Sequence, residues 1–150
     1  MQRSTGYHLI IAVMATANTF LRESHQLFRP HGVTEAQFNV LNILSDAPAG
    51  LSQRELSDLL VVDRSNTTGL LDRMEKSGWV KRQDHPEDRR VYLVTTTAEG
   101  RRLWQKVLPD YLKAVARVTS AASDAEMKRT IETMRRLENS AREWGKNYEA

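Results

Sequence analysis

Residues 80–96, VKRQDHPEDRRVYLVTT, interrupt a chain whose other segments have helical spacing. The runs at 80–82 and 91–95 favour β-branched and aromatic side chains, which are typical of strands. The segment between them, DHPEDRR, places six charged or histidine side chains around a proline and has nothing to bury. The pattern predicts a β-hairpin with a long polar tip, so a small sheet has to be accommodated among helices.

Helix starts on both sides of this hairpin carry capping boxes, in which Ser or Thr is followed three residues later by Glu or Gln. The pattern occurs at Thr34/Gln37, Ser52/Glu55, Thr96/Glu99 and Ser123/Glu126. Together with apolar side chains at helical spacing, these starts predict helices at about 7–28, 34–45, 53–60, 64–77, from 97 onwards, and 123–146. The fold class is therefore mainly α with a small β-hairpin wing.

Two of these helices are short and are joined by only three residues, 61–63, directly before the hairpin. This order predicts a winged helix-turn-helix, in which the second helix enters the major groove of DNA. Leu56, Leu59 and Leu60 are expected to face inward from the first helix of the pair. From the second helix, Leu70, Leu71 and Met74 are expected to form the core stripe.

That stripe turns a set of mostly short polar side chains outward. The set comprises Arg64, Ser65, Asn66, Thr68, Gly69, Asp72 and Arg73. Short polar groups let a helix lie close to base edges and form hydrogen bonds with them, whereas a helix that only needs solubility more often carries Glu and Lys. The alternative, an ordinary solvated helix face, stays open from these residues alone.

At the hairpin tip, acidic side chains stand beside the two arginines of DRR. A carboxylate that accepts a hydrogen bond from an arginine fixes the direction of its guanidinium group, which suits insertion into a narrow groove. Phosphate contacts are expected from Lys81, Arg82, Arg89 and Arg73. A charged tip that serves only solubility is the competing interpretation.

The segment LSQRELSDLLVVDRSNTTGLLDRMEKSGWVKRQDHPEDRRVYLVTTTAEGRRL resembles the core of the MarR family of bacterial transcription regulators. The likeness lies in LLDRMEKSGWV at the end of the recognition helix, in the DRR wing, and in the T-x-E-G start of the next helix at Thr97, Glu99 and Gly100. The order of the surrounding helices also fits, so the resemblance covers nearly the whole chain.

The resemblance implies one domain over 1–150, with a winged lobe at about 34–96 and dimerisation helices at about 1–30 and 97–150. It implies a homodimer that grips a pseudo-palindromic operator in double-stranded DNA. Ser65, Asn66 and Thr68 match positions that read major-groove bases, Arg90 matches the arginine inserted in the minor groove, and Asp88 matches its brace. Gly69 departs from the family pattern, which is often basic at that position. The apolar surfaces of the first and last helices, with Trp104, Tyr111 and Trp144, independently favour a dimer.

Composition narrows the function classes. With no cysteine, the chain has no disulfide, thiolate metal site or thiol redox sensor. No phosphate-binding glycine loop and no hydrolase or metalloprotease motif occurs, so an enzyme is not expected, and no cofactor or metal site is predicted. The longest apolar run, residues 9–15, is too short to cross a bilayer and no signal peptide is recognisable, so a cytoplasmic protein without membrane contact is expected.

The resemblance also favours a repressor that releases DNA on sensing a signal. With thiols excluded and the four histidines unsuitably spaced for zinc, the remaining prediction is a small aromatic or phenolic effector. His8, Phe28 and Tyr111 are the candidate ligand residues, in a crevice between the dimer helices and the winged lobe. The small side chains that share the helix face of His8 (Ala12, Ala15 and Thr19) either wall this pocket or permit close helix packing. A winged helix that binds only protein is the competing function.

Overall fold

The computed structural model describes residues 3–60, 66–86 and 90–146. In chain order it contains α1 (Thr5–Phe28), a 3₁₀ turn (Arg29–His31), α2 (Glu35–Ser45), β1 (Leu51–Ser52), α3 (Gln53–Leu59), α4 (Thr67–Lys76), β2 (Val80–Asp84), β3 (Tyr92–Thr96), α5 (Ala98–Thr119) and α6 (Asp124–Lys146). The mainly helical winged fold is thus confirmed. The three-residue link predicted at 61–63 lies outside the described residues.

The sheet has three antiparallel strands in the order β1-β3-β2. The predicted hairpin is formed by β2 and β3, with Val80 opposite Thr96 and Arg82 opposite Val94. The sequence did not predict β1, which is only two residues long and pairs Leu51 with Val94. A strand of two residues has no alternation to detect, so only its partner reveals it.

Three of the four predicted capping boxes are present. The Thr34 and Ser52 hydroxyls accept hydrogen bonds from the amides of Gln37 and Glu55, and each of these side chains accepts a bond from the amide of its cap residue. The Ser123 amide likewise donates to Glu126, 2.8 Å away.

The fourth predicted box, Thr96/Glu99, is wrong. Thr96 is the last residue of β3, where it pairs with Val80. Thr97 starts α5 instead, since its hydroxyl accepts a hydrogen bond from the Gly100 amide at 3.0 Å. The same hydroxyl lies 2.6 Å from the carbonyl oxygen of Gly78 and can donate to it, which ties α5 to the end of α4.

Gly100 is required by the close approach of α5 to the turn before β2. A Cβ atom at position 100 would lie 2.0 Å from the carbonyl oxygen of Trp79, a backbone atom that cannot move away by itself. Gly78 ends α4 with φ of 74°, in the left-handed region that glycine adopts without strain. The amide of Trp79 then donates to the carbonyl of Met74 at 3.0 Å. Together these contacts fix the direction in which the hairpin leaves α4.

The core of the lobe lies between α2, α3, α4 and the sheet. Its buried apolar side chains are Val40, Leu41, Leu44, Leu56, Leu60, Leu70, Leu71, Met74, Val80 and Val94. Leu59 was predicted to face inward, but its side chain is 54% exposed. α3 ends at Leu59, and Leu60 turns inward with extended backbone while its amide still bonds the carbonyl of Leu56. Leu56 and Leu60 therefore both point into the core, and Leu59 stays at the surface.

Trp104 was predicted to add to the apolar surface of the dimer helices, and the structure places it elsewhere. Its ring packs against the lobe core, and its indole nitrogen donates to Oδ1 of Asn42 at 3.2 Å. Trp104 thus attaches α5 to α2 within one chain.

The chain divides into two compact units, Met1–Asp110 and Tyr111–Ala150, with the division inside α5 just after Pro109. In the first unit, His31 at the α1–α2 junction contacts Asp110 of α5 through Nε2 and Oδ2, 3.1 Å apart. In the second unit, none of the described residues of α6 is buried. Among the described residues, no helix combines the length and apolar character needed to cross a membrane.

Candidate nucleic-acid interface

α4 has the two-sided character predicted for a recognition helix. Leu70, Leu71 and Met74 are buried in the lobe core, and Thr67 is buried beside them with its hydroxyl 3.2 Å from that of Ser57. The opposite face carries the exposed side chains of Asn66, Thr68, Asp72 and Arg73. Arg64 and Ser65, the first two predicted contacts, lie outside the described residues.

Gln53 is a candidate contact residue that the sequence reasoning missed. It is the first residue of α3, and its amide nitrogen donates to the hydroxyl of Thr68 at 2.6 Å. This bond places a second polar side chain beside the exposed face of α4. The available signal was the Ser52/Glu55 capping box, which puts Gln53 in the first turn of the first helix of the pair, next to the start of the second.

Arg82 was predicted to contact phosphate, and the structure gives its guanidinium group a different task. Nη2 lies 2.6 Å from Oδ1 of Asp72, and Nη1 lies 2.5 Å from Oε2 of Glu75. The Arg82 amide also donates to Oε1 of Glu75 at 3.0 Å. The side chain is 23% exposed and spans from β2 to two carboxylates of α4. It therefore holds the recognition helix against the wing instead of reaching outward.

The pKa of Arg82 is raised above its ordinary value. Partial burial acts in the opposite direction and would lower it, but the hydrogen bonds and charges of Asp72 and Glu75 outweigh that effect. The two carboxylates engage both terminal nitrogens of the guanidinium group and balance its charge. The geometry and the electrostatics thus agree on a structural role.

The wing presents the remaining predicted cations. Lys81 is exposed on β2, and Arg90 is exposed just before β3, after the tip residues. The hairpin is closed below the tip by the His85 amide, which donates to the carbonyl of Val91 at 3.0 Å. Asp88 and Arg89 lie outside the described residues, so the predicted brace between Asp88 and Arg90 remains a prediction.

Two of the three residues predicted to bind an effector, His8 and Phe28, lie far apart along α1. His8 is exposed near the start of α1, and Phe28 is buried at its end with its ring centroid 5.1 Å from that of Phe38. Twenty residues of helix separate the two, which corresponds to about 30 Å. Tyr111 belongs to the second unit. Phe28 is a core residue that joins α1 to α2.

A groove does exist between α1 and the winged lobe, with a volume of about 390 Å³. Its walls are Leu21, His25, Thr34, Glu35, Ala36, Gln37, Leu70 and Arg73. The histidine here is His25, whose Nδ1 lies 3.2 Å from Oε1 of Glu35, and the Ser24 hydroxyl donates to the same oxygen at 2.7 Å. Arg73 connects this groove to the exposed face of α4. Within the described part of the chain, no cluster of three or more His, Asp or Glu residues has the arrangement of a metal site.

Comparison with known proteins gives consistent results. A family model described as MarR family matches residues 31–91, which include α2, α3, α4 and β2. The chain is 34% identical over 100 residues to the HTH-type transcriptional repressor YetL of Bacillus subtilis, covering 66% of this chain and 60% of YetL. It is 33% identical over 108 residues to the transcriptional activatory protein BadR of Rhodopseudomonas palustris, covering 71% of this chain and 62% of BadR. The chain thus spans less than two thirds of these curated relatives.

Among solved structures, the fold is similar to that of Sco3205, a MarR family transcriptional regulator from Streptomyces coelicolor in complex with DNA. The TM-score is 0.80 at 26% identity, and the match covers 93% of this chain and 90% of Sco3205. The curated relatives are transcriptional regulators and not enzymes. Residues 31–91 therefore match the MarR family, and the chain has the fold of a MarR-family winged-helix regulator.

Proposed function

We propose that the protein is a sequence-specific regulator of transcription that binds double-stranded DNA as a homodimer. The observation that carries the proposal is the outward face of α4, where Asn66, Thr68 and Arg73 stand exposed beside a hairpin that carries Lys81 and Arg90. Short polar side chains on a helix suit base edges in the major groove, and an arginine on a narrow arm suits the minor groove. Sco3205, which shares this fold, binds DNA.

Within this proposal, each cation makes its own contact with the DNA. Arg73, Lys81 and Arg89 supply phosphate contacts that set the register, Arg90 enters the minor groove, and Asp88 orients it. Ser65, Asn66 and Thr68 read bases, with Arg64 beside them. The lobe segment 63–100 has no net charge, while 101–150 carries a net charge of +4. Affinity in the lobe therefore has to come from the placement of individual groups and not from bulk charge.

A homodimer accounts for the apolar surfaces of the long helices. In α1, Ile10, Met14 and Phe20 are each about half exposed, and Ile131 and Trp144 of α6 are exposed as well. Apolar patches of this kind are typical of interaction surfaces. Two-fold symmetry would then place half-sites about one helical turn, roughly 10 bp, apart on a pseudo-palindromic operator.

For the direction of regulation we propose repression relieved by a small aromatic or phenolic compound. YetL is named a repressor and BadR an activatory protein, so the family alone allows both. The groove beside α4 supports a ligand-responsive mechanism, because its wall includes Arg73. A bound acid that engages Arg73 would withdraw a cation from the DNA-facing side.

The direct test is selection of bound sequences from random double-stranded DNA, followed by mobility shifts on the selected site. Affinity should fall steeply as salt rises, since each phosphate contact releases counterions. Arg90→Ala should cost about 1–3 kcal/mol of binding free energy on that site. Arg129→Ala, which removes the same charge from exposed α6, is the control and should change affinity little. Failure to enrich any sequence, or binding insensitive to salt, would favour a protein-binding winged helix instead.

A further inference from the structure

Gly69 lies in the middle of the exposed face of α4, and its missing side chain leaves a space that two neighbours occupy. A Cβ atom at position 69 would lie 2.6 Å from Oδ1 of Asn66, closer than real Cβ contacts allow. It would also lie 3.4 Å from Nη1 of Arg73. The carboxamide of Asn66 therefore lies across the bare backbone of Gly69, and the Arg73 guanidinium approaches the same point from the following turn.

Asn66 is free of the role its position would normally give it. It is the N-cap residue of α4, where an asparagine side chain usually accepts a hydrogen bond from the first turn, yet its side chain makes no capping bond. The carboxamide instead folds over the outer surface of the helix, where it is exposed. An asparagine amide offers one acceptor and two donors, which match the N6 and N7 edge of adenine.

Gly69 is also unfavourable for the helix that carries it. Glycine in a helix interior is less stable than alanine, because it loses more backbone freedom on folding. Gly78 and Gly32 have positive φ angles that explain their presence, whereas Gly69 has the backbone of a regular helix residue. A residue that violates local helix preference on an exposed, otherwise regular face is expected where function requires it.

We propose that Gly69 is a specificity determinant of this regulator: the absence of a side chain seats the Asn66 carboxamide flat on α4, in position to read one adenine in each half-site. This inference rests on the proposed DNA-binding function and adds to it the residue that sets the base preference. Any side chain at position 69 displaces Asn66 from this seat. Arg73, which borders the same space, stays in place because its contact distance with a new Cβ is at the edge of ordinary packing.

The proposal separates stability from base preference. Gly69→Ala introduces a methyl group against the end of a mobile side chain and not against backbone, so the protein should fold. Because alanine favours helix, its melting temperature should be equal to or above that of the wild type. Discrimination for the A·T pair at one position of each half-site should nevertheless fall about tenfold.

Four proteins test this: wild type, Gly69→Ala, Asn66→Ala and the double variant, each measured on the site selected by the wild type and on sites with every substitution of the A·T pair. If Gly69 acts through Asn66, Asn66→Ala loses the same discrimination, and adding Gly69→Ala to it causes no further loss. Gly145→Ala is the matched control, because position 145 is helical with nothing within 4 Å of an added Cβ. It should leave discrimination unchanged.

Unchanged discrimination in Gly69→Ala would overturn the inference while leaving the proposed function intact. So would a loss in Gly69→Ala that persists in full on top of Asn66→Ala, because the effect would then bypass the asparagine. A wild type that enriches no sequence at all would overturn the proposed function and this inference together.

Discussion

The winged lobe buries its apolar side chains within one chain, whereas α1 and α6 leave most of theirs at the surface. In the lobe, Leu56, Leu71 and Met74 are wholly buried. In α1, Met14 is 58% exposed, and Phe28 is the one buried residue between Thr5 and Phe28. In α6, Ile131 is 51% exposed, and none of the described residues is buried.

This difference separates two sources of stability. A lobe with its own close-packed core can be stable without help from a second chain. α1 and α6 bury few side chains, and helical stability in proteins comes mainly from packing, so we expect a second chain to cover their apolar surfaces. The lobe therefore carries the recognition face on its own packed core. Each prediction below tests one side of this contrast.

The largest effect is expected in the lobe core. Leu71→Ala, at a wholly buried position in α4, should lower the free energy of unfolding by about 2–5 kcal/mol through lost burial and cavity formation. Leu59→Ala is the matched control in α3, because the same atoms are removed from a side chain that is 54% exposed. Its effect should stay within about 0.5 kcal/mol. Urea unfolding at one protein concentration measures both, and comparable losses would mean that Leu59 is covered by something else.

A smaller but distinctive effect is expected in α6. Ile131→Glu should weaken self-association at least about tenfold, because it places a charge in the apolar stripe that we assign to the dimer. Asn139→Glu adds the same charge at an exposed position away from that stripe and should leave association unchanged. Sedimentation equilibrium over a range of concentrations gives the dissociation constants. A wild type that stays monomeric throughout would contradict the assignment of these helices.

The same contrast explains how much could be predicted from the sequence. In the lobe, helix starts at Thr34 and Ser52, the core stripe of α4 and the hairpin were all predicted correctly, because each depends on local pattern. The Thr96/Glu99 box was wrong because its local pattern is complete, yet Thr96 belongs to a strand. Only the pairing of Thr96 with Val80 reveals this.

The functional face shows where local pattern fails. Arg82 has the sequence context of a phosphate contact, and nothing local indicates that Asp72 and Glu75, one helix earlier, will take its guanidinium group. Gln53 joins the face only because α3 starts beside α4 in space. The ligand residues His8 and Phe28 were chosen by type, and the length of α1 keeps them apart. Residues whose roles depend on distant partners therefore need the tertiary structure.

Arg82 provides the next prediction, because it joins the wing to the recognition helix inside the lobe. Arg82→Ala should lower the free energy of unfolding by about 1–2 kcal/mol, since two carboxylates lose their partner. DNA affinity should also fall, with little change in its salt dependence, because no phosphate contact is lost. Lys81→Ala, at the exposed neighbouring position, should leave stability nearly unchanged. The slope of log affinity against log salt concentration should become smaller by about one, because a phosphate contact is lost. A reduced salt dependence in Arg82→Ala would instead support the prediction that Arg82 contacts phosphate.

The smallest effect concerns a feature that both regions share, the capping boxes Ser52/Glu55 in the lobe and Ser123/Glu126 at α6. In each, hydrogen bonds from the serine hydroxyl and amide lower the pKa of the glutamate below its ordinary value of 4.5. A lowered pKa means that the folded state favours the carboxylate. The stabilisation is therefore complete above pH 4.5 and is lost as the pH falls through the lower folded-state pKa.

Glu55→Gln and Glu126→Gln retain a side chain that can complete the box but cannot titrate in this range. Each should show slightly less acid destabilisation than the wild type in urea unfolding at neutral pH and below 4.5. Similar, small changes in acid destabilisation in the two variants would show that the capping boxes stabilise both regions equally. The two regions would then differ only in the burial of their apolar side chains. A loss of acid sensitivity confined to Glu55→Gln would mean instead that the start of α6 contributes nothing until the dimer interface is formed.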